Sequence, residues 1–203
     1  MREHPLIMKG PLVRATLAGL KTQTRRPVKN EALPYTGYWA GCLCKEIDPS
    51  DTPCVTCAMR FPGIPEAGDR LWVRETWCLA SAESETTPPD LRPMRGSRWC
   101  YYYATEPDVE HEEGDNRSPW RPSIHMPRWA CRLVLPLVSV RVERLRDITE
   151  AGAKAEGVEP IGGSYREGFR AVWESIYGSW DLNPWIWVAE WDHIEVASAE
   201  AHK

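Results

Sequence analysis

Leu17-Ala18-Gly19-Leu20-Lys21-Thr22-Gln23-Thr24-Arg25-Arg26 closes a short apolar segment and ends against Pro27. Gly10-Pro11 opens a helix just before it, with proline at the first helical position, and Gly19 suits the helix stop. Pro27 disfavours helix at Arg26, so Thr22 to Val28 is expected to be extended. Two threonine hydroxyls, one amine and two guanidiniums fall within the six residues from Lys21 to Arg26. Groups that attack, accept protons and bind anions therefore crowd onto one helix-to-strand turn. On composition alone the same residues also describe a basic, solvated turn.

Outward from this stretch, Pro5 to Met8 reads as a short strand. Residues 30–68 carry repeated prolines and glycines without sustained periodicity, as an insertion would. Gly68-Asp69 turns into the β-rich run Arg70 to Trp77, and Trp99 to Thr105 reads as another strand. Residues 132–146 read as one long strand, in which Val138, Val140 and Val142 alternate with Ser139, Arg141 and Glu143. Thr149 can cap a short helix through Glu156, with Gly157 past its end. Ser164 and Glu167 have capping-box spacing before an apolar stripe of Phe169, Val172, Trp173, Ile176 and Tyr177. Trp185 to Val196 reads as a closing strand. The expected class is α+β: a small mixed barrel with two to four helices on its flanks. One domain over residues 1–196 is expected, with insertions at about 30–68 and 80–118 and a tail at 197–203.

Composition narrows the function. No run approaches the roughly 18 apolar residues of a membrane span, and the N-terminus lacks an apolar signal core, so a cytoplasmic protein without a membrane partner is expected. The net charge of −4 argues against a general polyanion binder. Its distribution is uneven: Arg2, Lys9, Arg14, Lys21, Arg25, Arg26 and Lys29 face Glu3 alone before residue 30, whereas Glu106 to Asp115 is purely acidic. Eleven tryptophans against two phenylalanines supply packing and, beside arginines, flat platforms on which bases stack.

Cys42, Cys44, Cys54 and Cys57 form two close pairs across a short loop. That spacing suits a structural zinc site closed by four thiolates, and a proline-rich insertion with no core of its own gains most from such a staple. Free thiols or a single disulfide are the alternatives, since the first pair is C-x-C rather than C-x₂-C. A closed four-cysteine site is structural rather than catalytic. No organic cofactor is expected.

The motif Leu17 to Arg26, together with Gly68-Asp-Arg-Leu-Trp-Val-Arg-Glu75, Ala155-Glu-Gly157 and the final apolar strand, resembles the ASCH domain family, small β-barrels related to the PUA fold. Trp120-Arg-Pro-Ser-Ile-His-Met-Pro-Arg-Trp129 is similar to the longer version encoded by tailed phages and prophages, which would place the protein in a bacterial host's cytoplasm. The resemblance implies partners among RNA, single-stranded nucleic acid and modified nucleosides. Small bacterial members are amidohydrolases that deacylate N4-acetylcytidine with a threonine nucleophile, a lysine base and a supporting glutamate. By the same resemblance those roles fall on Thr24, Lys21 and Glu156. Arg25, Arg26, Arg74, Glu75 and Arg128 are the expected substrate or nucleic-acid contacts, with guanidiniums offering bidentate donors. Other members of the family are ribonucleases or RNA binders.

The chemistry sets its own conditions. A threonine hydroxyl needs a base within about 2.6–3.2 Å. Lys21 qualifies only when neutral; burial and neighbouring arginines favour that state, and Glu156 opposes it. A spacing of three places Lys21 and Thr24 on opposite faces of a regular strand, so a catalytic pair requires a twist there. Hydrolysis of an acylated pyrimidine leads the expectations; non-catalytic binding and RNA cleavage are the alternatives.

Overall fold

The computed structural model describes residues 1–28, 64–79, 100–106 and 118–196. Most of both insertions, the four clustered cysteines and the 197–203 tail lie outside the described residues. In chain order the elements begin β1 Glu3–Ile7, α1 Gly10–Leu17, β2 Gln23–Pro27, β3 Arg70–Arg74, β4 Trp77–Leu79 and β5 Cys100–Tyr102. They continue with β6 Leu133–Pro136, β7 Ser139–Arg144, α2 Glu150–Ala155, α3 Tyr165–Tyr177, β8 Trp185–Glu190 and β9 Glu195–Val196. The α+β class and its three helices agree with expectation; among the described residues the strands form three separate sheets and no closed barrel. No described helix is long and apolar enough to cross a membrane.

The chain divides into two compact units, each assembled from separate stretches. The first comprises Met1–Gly19, Asp69–Pro136 and Asp192–Lys203. Its main sheet has the order β1-β3-β6-β9, with β1 and β3 parallel and the other pairs antiparallel. Along β3, Leu71 and Val73 are buried while Arg70, Trp72 and Arg74 are half-buried, the period-2 pattern of a sheet with one face in the core. α1 ends as its sequence indicates: Gly19 takes a φ of 71°, and its N–H donates to Thr16 O at 3.0 Å. A second core gathers around β4 and β5, where Trp77, Leu79, Tyr102, Met126 and Ala130 are buried. Trp129 meets Trp77 edge-on at 5.6 Å.

The second unit comprises Leu20–Gly68 and Leu137–Trp191 and is built on the antiparallel sheet β2-β8-β7. Thr149 Oγ1 accepts from Gly152 N at 3.0 Å and starts α2; Ser164 Oγ accepts from Glu167 N at 3.3 Å and starts α3. Glu150 ties the two helices together, accepting from Ser164 Oγ at 2.6 Å and Tyr165 N at 2.9 Å. Phe169 of α3 packs with Trp173 and with Trp180, but Ile176, counted in the expected stripe, is 43% exposed.

Two long strands read from sequence are each two strands. The 132–146 run breaks at Leu137–Val138, where Val138 is half exposed rather than buried. Pro136 has no N–H to continue the ladder, and the chain then changes partner, from β3 for β6 to β8 for β7. The 185–196 run breaks after Glu190, and β9 pairs with β6 instead of β7.

Candidate functional site

The second unit's sheet separates chemistry by face. Directly paired residues of an antiparallel sheet share a face. One face carries the rung Arg25–Val188–Arg141 and the rung Gln23–Glu190–Ser139, with Glu143 opposite Ile186. The other carries Thr24–Ala189–Val140, then Arg26–Trp187–Val142, then Trp185 opposite Arg144. Every carboxylate of the paired strands falls on the first face, and the second holds two guanidiniums and no acid.

On the first face a buried ionic chain begins at Lys21, 1% exposed, whose backbone bridges that of Glu156. Lys21 Nζ donates to Glu156 Oε2 at 2.6 Å, Glu156 O at 3.0 Å and Gln23 O at 2.6 Å. Three acceptors use all three N–H groups of an ammonium. Burial drives the Lys21 pKa below the ordinary lysine value; Glu156 pulls it back, while Arg26 and Arg25 push it further down. Trp191 lies 5.9 Å from the ammonium.

Glu156 offers its second oxygen to Arg25, whose Nη1 donates to Oε1 at 3.1 Å. Arg25 is itself 2% exposed and donates through Nε to Glu143 Oε1 at 3.0 Å and through Nη1 to Gly152 O at 3.3 Å. Its guanidinium lies so close to α2 that a Cβ on Gly152 would sit 2.9 Å from Nη2. Glu143 accepts from Arg141 Nε at 3.0 Å, and Arg141 also donates to Glu190. Glu190 further accepts from Ser139 Oγ and Gln23 Nε2, both at 2.8 Å. Three cations and three anions thus alternate from Lys21 to Glu190. The Lys21–Glu156–Arg25 end of this ionic chain is buried and its Arg141–Glu190 end is 38% and 28% exposed, so the hydrogen bonds at the buried end replace water that the open end keeps.

Thr24 belongs to the second face. It is fully buried, and its Oγ1 accepts from Arg26 Nη1 at 3.0 Å. Arg26 also donates to Arg25 O at 2.8 Å. Arg144 lies 4.1 Å from the Trp185 ring centroid, and Trp185 and Trp187 are half-buried.

Among the expected site residues, Lys21, Glu156 and Arg25 therefore come together, and Thr24 pairs with Arg26. None of the hydrogen bonds of Lys21 goes to Thr24 among the described residues. Arg25, expected as a nucleic-acid contact, is buried in ion pairs instead. Glu75, Arg74 and Arg128 belong to the first unit. Glu75 is 1% exposed and accepts from Arg132 Nε and Nη2, each at 2.9 Å. Burial raises the Glu75 pKa, and Arg132 opposes the rise. Arg74 and Arg128 lie 5.4 and 5.7 Å from the Trp72 ring centroid, and Arg128 pairs with both oxygens of Glu3 at 2.8 Å. Cys42, Cys44, Cys54 and Cys57 lie outside the described residues, among which no group of three or more His, Cys, Asp or Glu could hold a metal ion.

Compared with protein-family models, curated proteins and solved structures, the chain matches none.

Sequence reasoning missed Trp185, Trp187 and Arg144. The signal that reveals them is the alternation of Trp185 and Trp187 with Ile186 and Val188, which puts both indoles on one face.

Proposed function

We propose that this chain is an ASCH-type, PUA-related protein of the phage or prophage kind that binds nucleic acid or a modified nucleoside on the Thr24–Arg26 face of its second unit. The observation that carries the proposal is the segregation of charge across the β2-β8-β7 sheet. Arg26 and Arg144 share one face with Trp187 and Trp185, while both carboxylates of the paired strands lie on the other, where Arg25 and Arg141 pair with them. Guanidiniums and flat rings, with no acid among the strand residues beside them, suit a phosphate-bearing, aromatic ligand. The test is binding of fluorescein-labelled single-stranded RNA, followed by anisotropy across a salt series. Arg26→Ala is expected to weaken binding and to lower the log–log salt slope by about 0.7, the contribution of one single-strand phosphate contact. Unchanged binding and slope would refute the assignment of this face.

Hydrolysis of N4-acylated cytidine is the second reading, supported by the buried Lys21, whose pKa is lowered. In that chemistry Thr24 Oγ attacks the acyl carbonyl, its proton passes to neutral Lys21 Nζ, and the amine leaves with a proton before water releases the acyl group. Lys21 would first have to exchange one of its present partners for Thr24 Oγ1. Loss of the acetyl group from N4-acetylcytidine, followed by mass spectrometry and abolished in Thr24→Ala, would put hydrolysis ahead of binding. The four cysteines at 42, 44, 54 and 57 are proposed as a structural zinc site apart from this chemistry.

A further inference from the structure

Resting on the binding function proposed above, we infer that the ligand is an unpaired strand of at least two nucleotides, held on two tryptophan–arginine rungs, rather than a single free nucleoside. Trp187 stands directly opposite Arg26 on β2, and Trp185 directly opposite Arg144 on β7. Each tryptophan therefore has an arginine directly opposite it on a neighbouring strand, one on either side of β8. Arg144 already lies 4.1 Å from the Trp185 ring centroid. A base that stacks on this pair gains both ring overlap and the cation.

The spacing of the rungs selects the class of ligand. Trp185 and Trp187 are two residues apart on one strand, so their attachment points are separated by about 6.7 Å along β8. Bases of a stacked helix follow one another at about 3.4 Å. Neighbouring bases of a duplex therefore cannot each occupy a rung, whereas an extended strand with its bases unstacked can. A single nucleoside covers one ring and leaves the second rung unused. Among the described strand residues of β2, β8 and β7, none on this face is a carboxylate that would repel the phosphates between the two bases.

The experiment is competition against fluorescein-labelled rU8 and dT8 on the full chain. Uridine monophosphate and an eight-base-pair duplex serve as competitors. Trp185→Ala, Trp187→Ala and Trp187→Phe are the variants, with circular dichroism confirming the fold. The octamers are expected to bind, the monophosphate to compete about 5- to 150-fold worse and each alanine variant to lose affinity by the same factor, the worth of one stacked base. Trp187→Phe keeps a flat ring and should retain most of the binding. A preference for rU8 over dT8 would assign the strand as RNA, and the reverse as DNA. Competition by the monophosphate or the duplex as strong as by the octamer, or alanine variants that bind like the parent, would overturn the two-rung inference while leaving the binding face intact. Failure of every probe to bind would overturn both.

Discussion

Glu156→Gln is the sharpest perturbation of this molecule. The carboxylate is 4% exposed and holds two cations that are 1% and 2% exposed, at 2.6 Å to Lys21 and 3.1 Å to Arg25. At an effective dielectric constant of about 20, the gross attractions are about 6 and 5 kcal/mol, and desolvating the three charges offsets most of that. The amide keeps the volume and one acceptor oxygen. Its NH₂ must then face an N–H of Lys21 or Arg25, leaving a buried cation short of an acceptor. Breaking a buried pair from one side costs about 3–5 kcal/mol, which for a chain of this size lowers Tm by roughly 6–20 °C. Urea unfolding at pH 7 measures the loss, with an unchanged m-value expected. The sign of the pH dependence follows from Lys21. Its folded-state pKa is lowered from 10.5, so in the window below that value the unfolded chain binds more protons and stability rises with pH. The deficit of Glu156→Gln should accordingly shrink as pH climbs towards 10.5 and Lys21 loses its charge. A loss below about 1 kcal/mol at pH 7 would refute an ionised network.

Three further outcomes follow from named contacts. Gly152→Ala should gain about 1 kcal/mol of helix propensity and lose more, because its Cβ meets Arg25 Nη2 at 2.9 Å and Arg25 is fixed by Glu143 and Glu156; a net loss of about 1–3 kcal/mol is expected in thermal unfolding, and an unchanged or raised Tm would show that Arg25 is free to move. Burial pushes the Cys100 thiol from 9.0 up to about 12, so the folded chain keeps a proton that the unfolded chain releases above pH 9.0. The Cys100 contribution to stability should therefore fall between those values, opposite in sign to the Lys21 contribution below 10.5, and Cys100→Ala should make the profile less downward-sloping there; an unaltered slope would exclude Cys100 as a source. The purified chain should carry about one zinc ion by elemental analysis, lost together with affinity for the metal in Cys42→Ser and Cys54→Ser; full zinc content in both variants would place the metal elsewhere.

The helix ends were legible because caps are local chemistry. Gly19, Thr149, Ser164 and Gly157 announce their roles within a few residues, and each stands where its type indicates. The meeting of Lys21 with Glu156 was available only through resemblance, since 135 residues separate them. Arg25 read as a surface base because nothing near it in sequence shows the Glu143 carboxylate 118 residues away or the Cβ-free space at Gly152. Its burial is a property of the pairing of β2, β8 and α2, not of its neighbours in the chain.

In Gly19–Arg26 the sequence by itself determined a helix stop, a strand and the alternation that sends Thr24 and Arg26 one way and Gln23 and Arg25 the other. Side-chain periodicity is a property of the backbone, so no partner was needed to know it. Only the tertiary structure decided where the strands end and which charges are buried. Pro136 and Glu190 mark places where the chain changes sheets, and hydrophobic alternation runs through such places without a sign. It also decided that Lys21 spends its protons on Glu156 and Gln23 while Thr24 takes an arginine, because a hydrogen bond depends on distance in space and not on spacing along the chain.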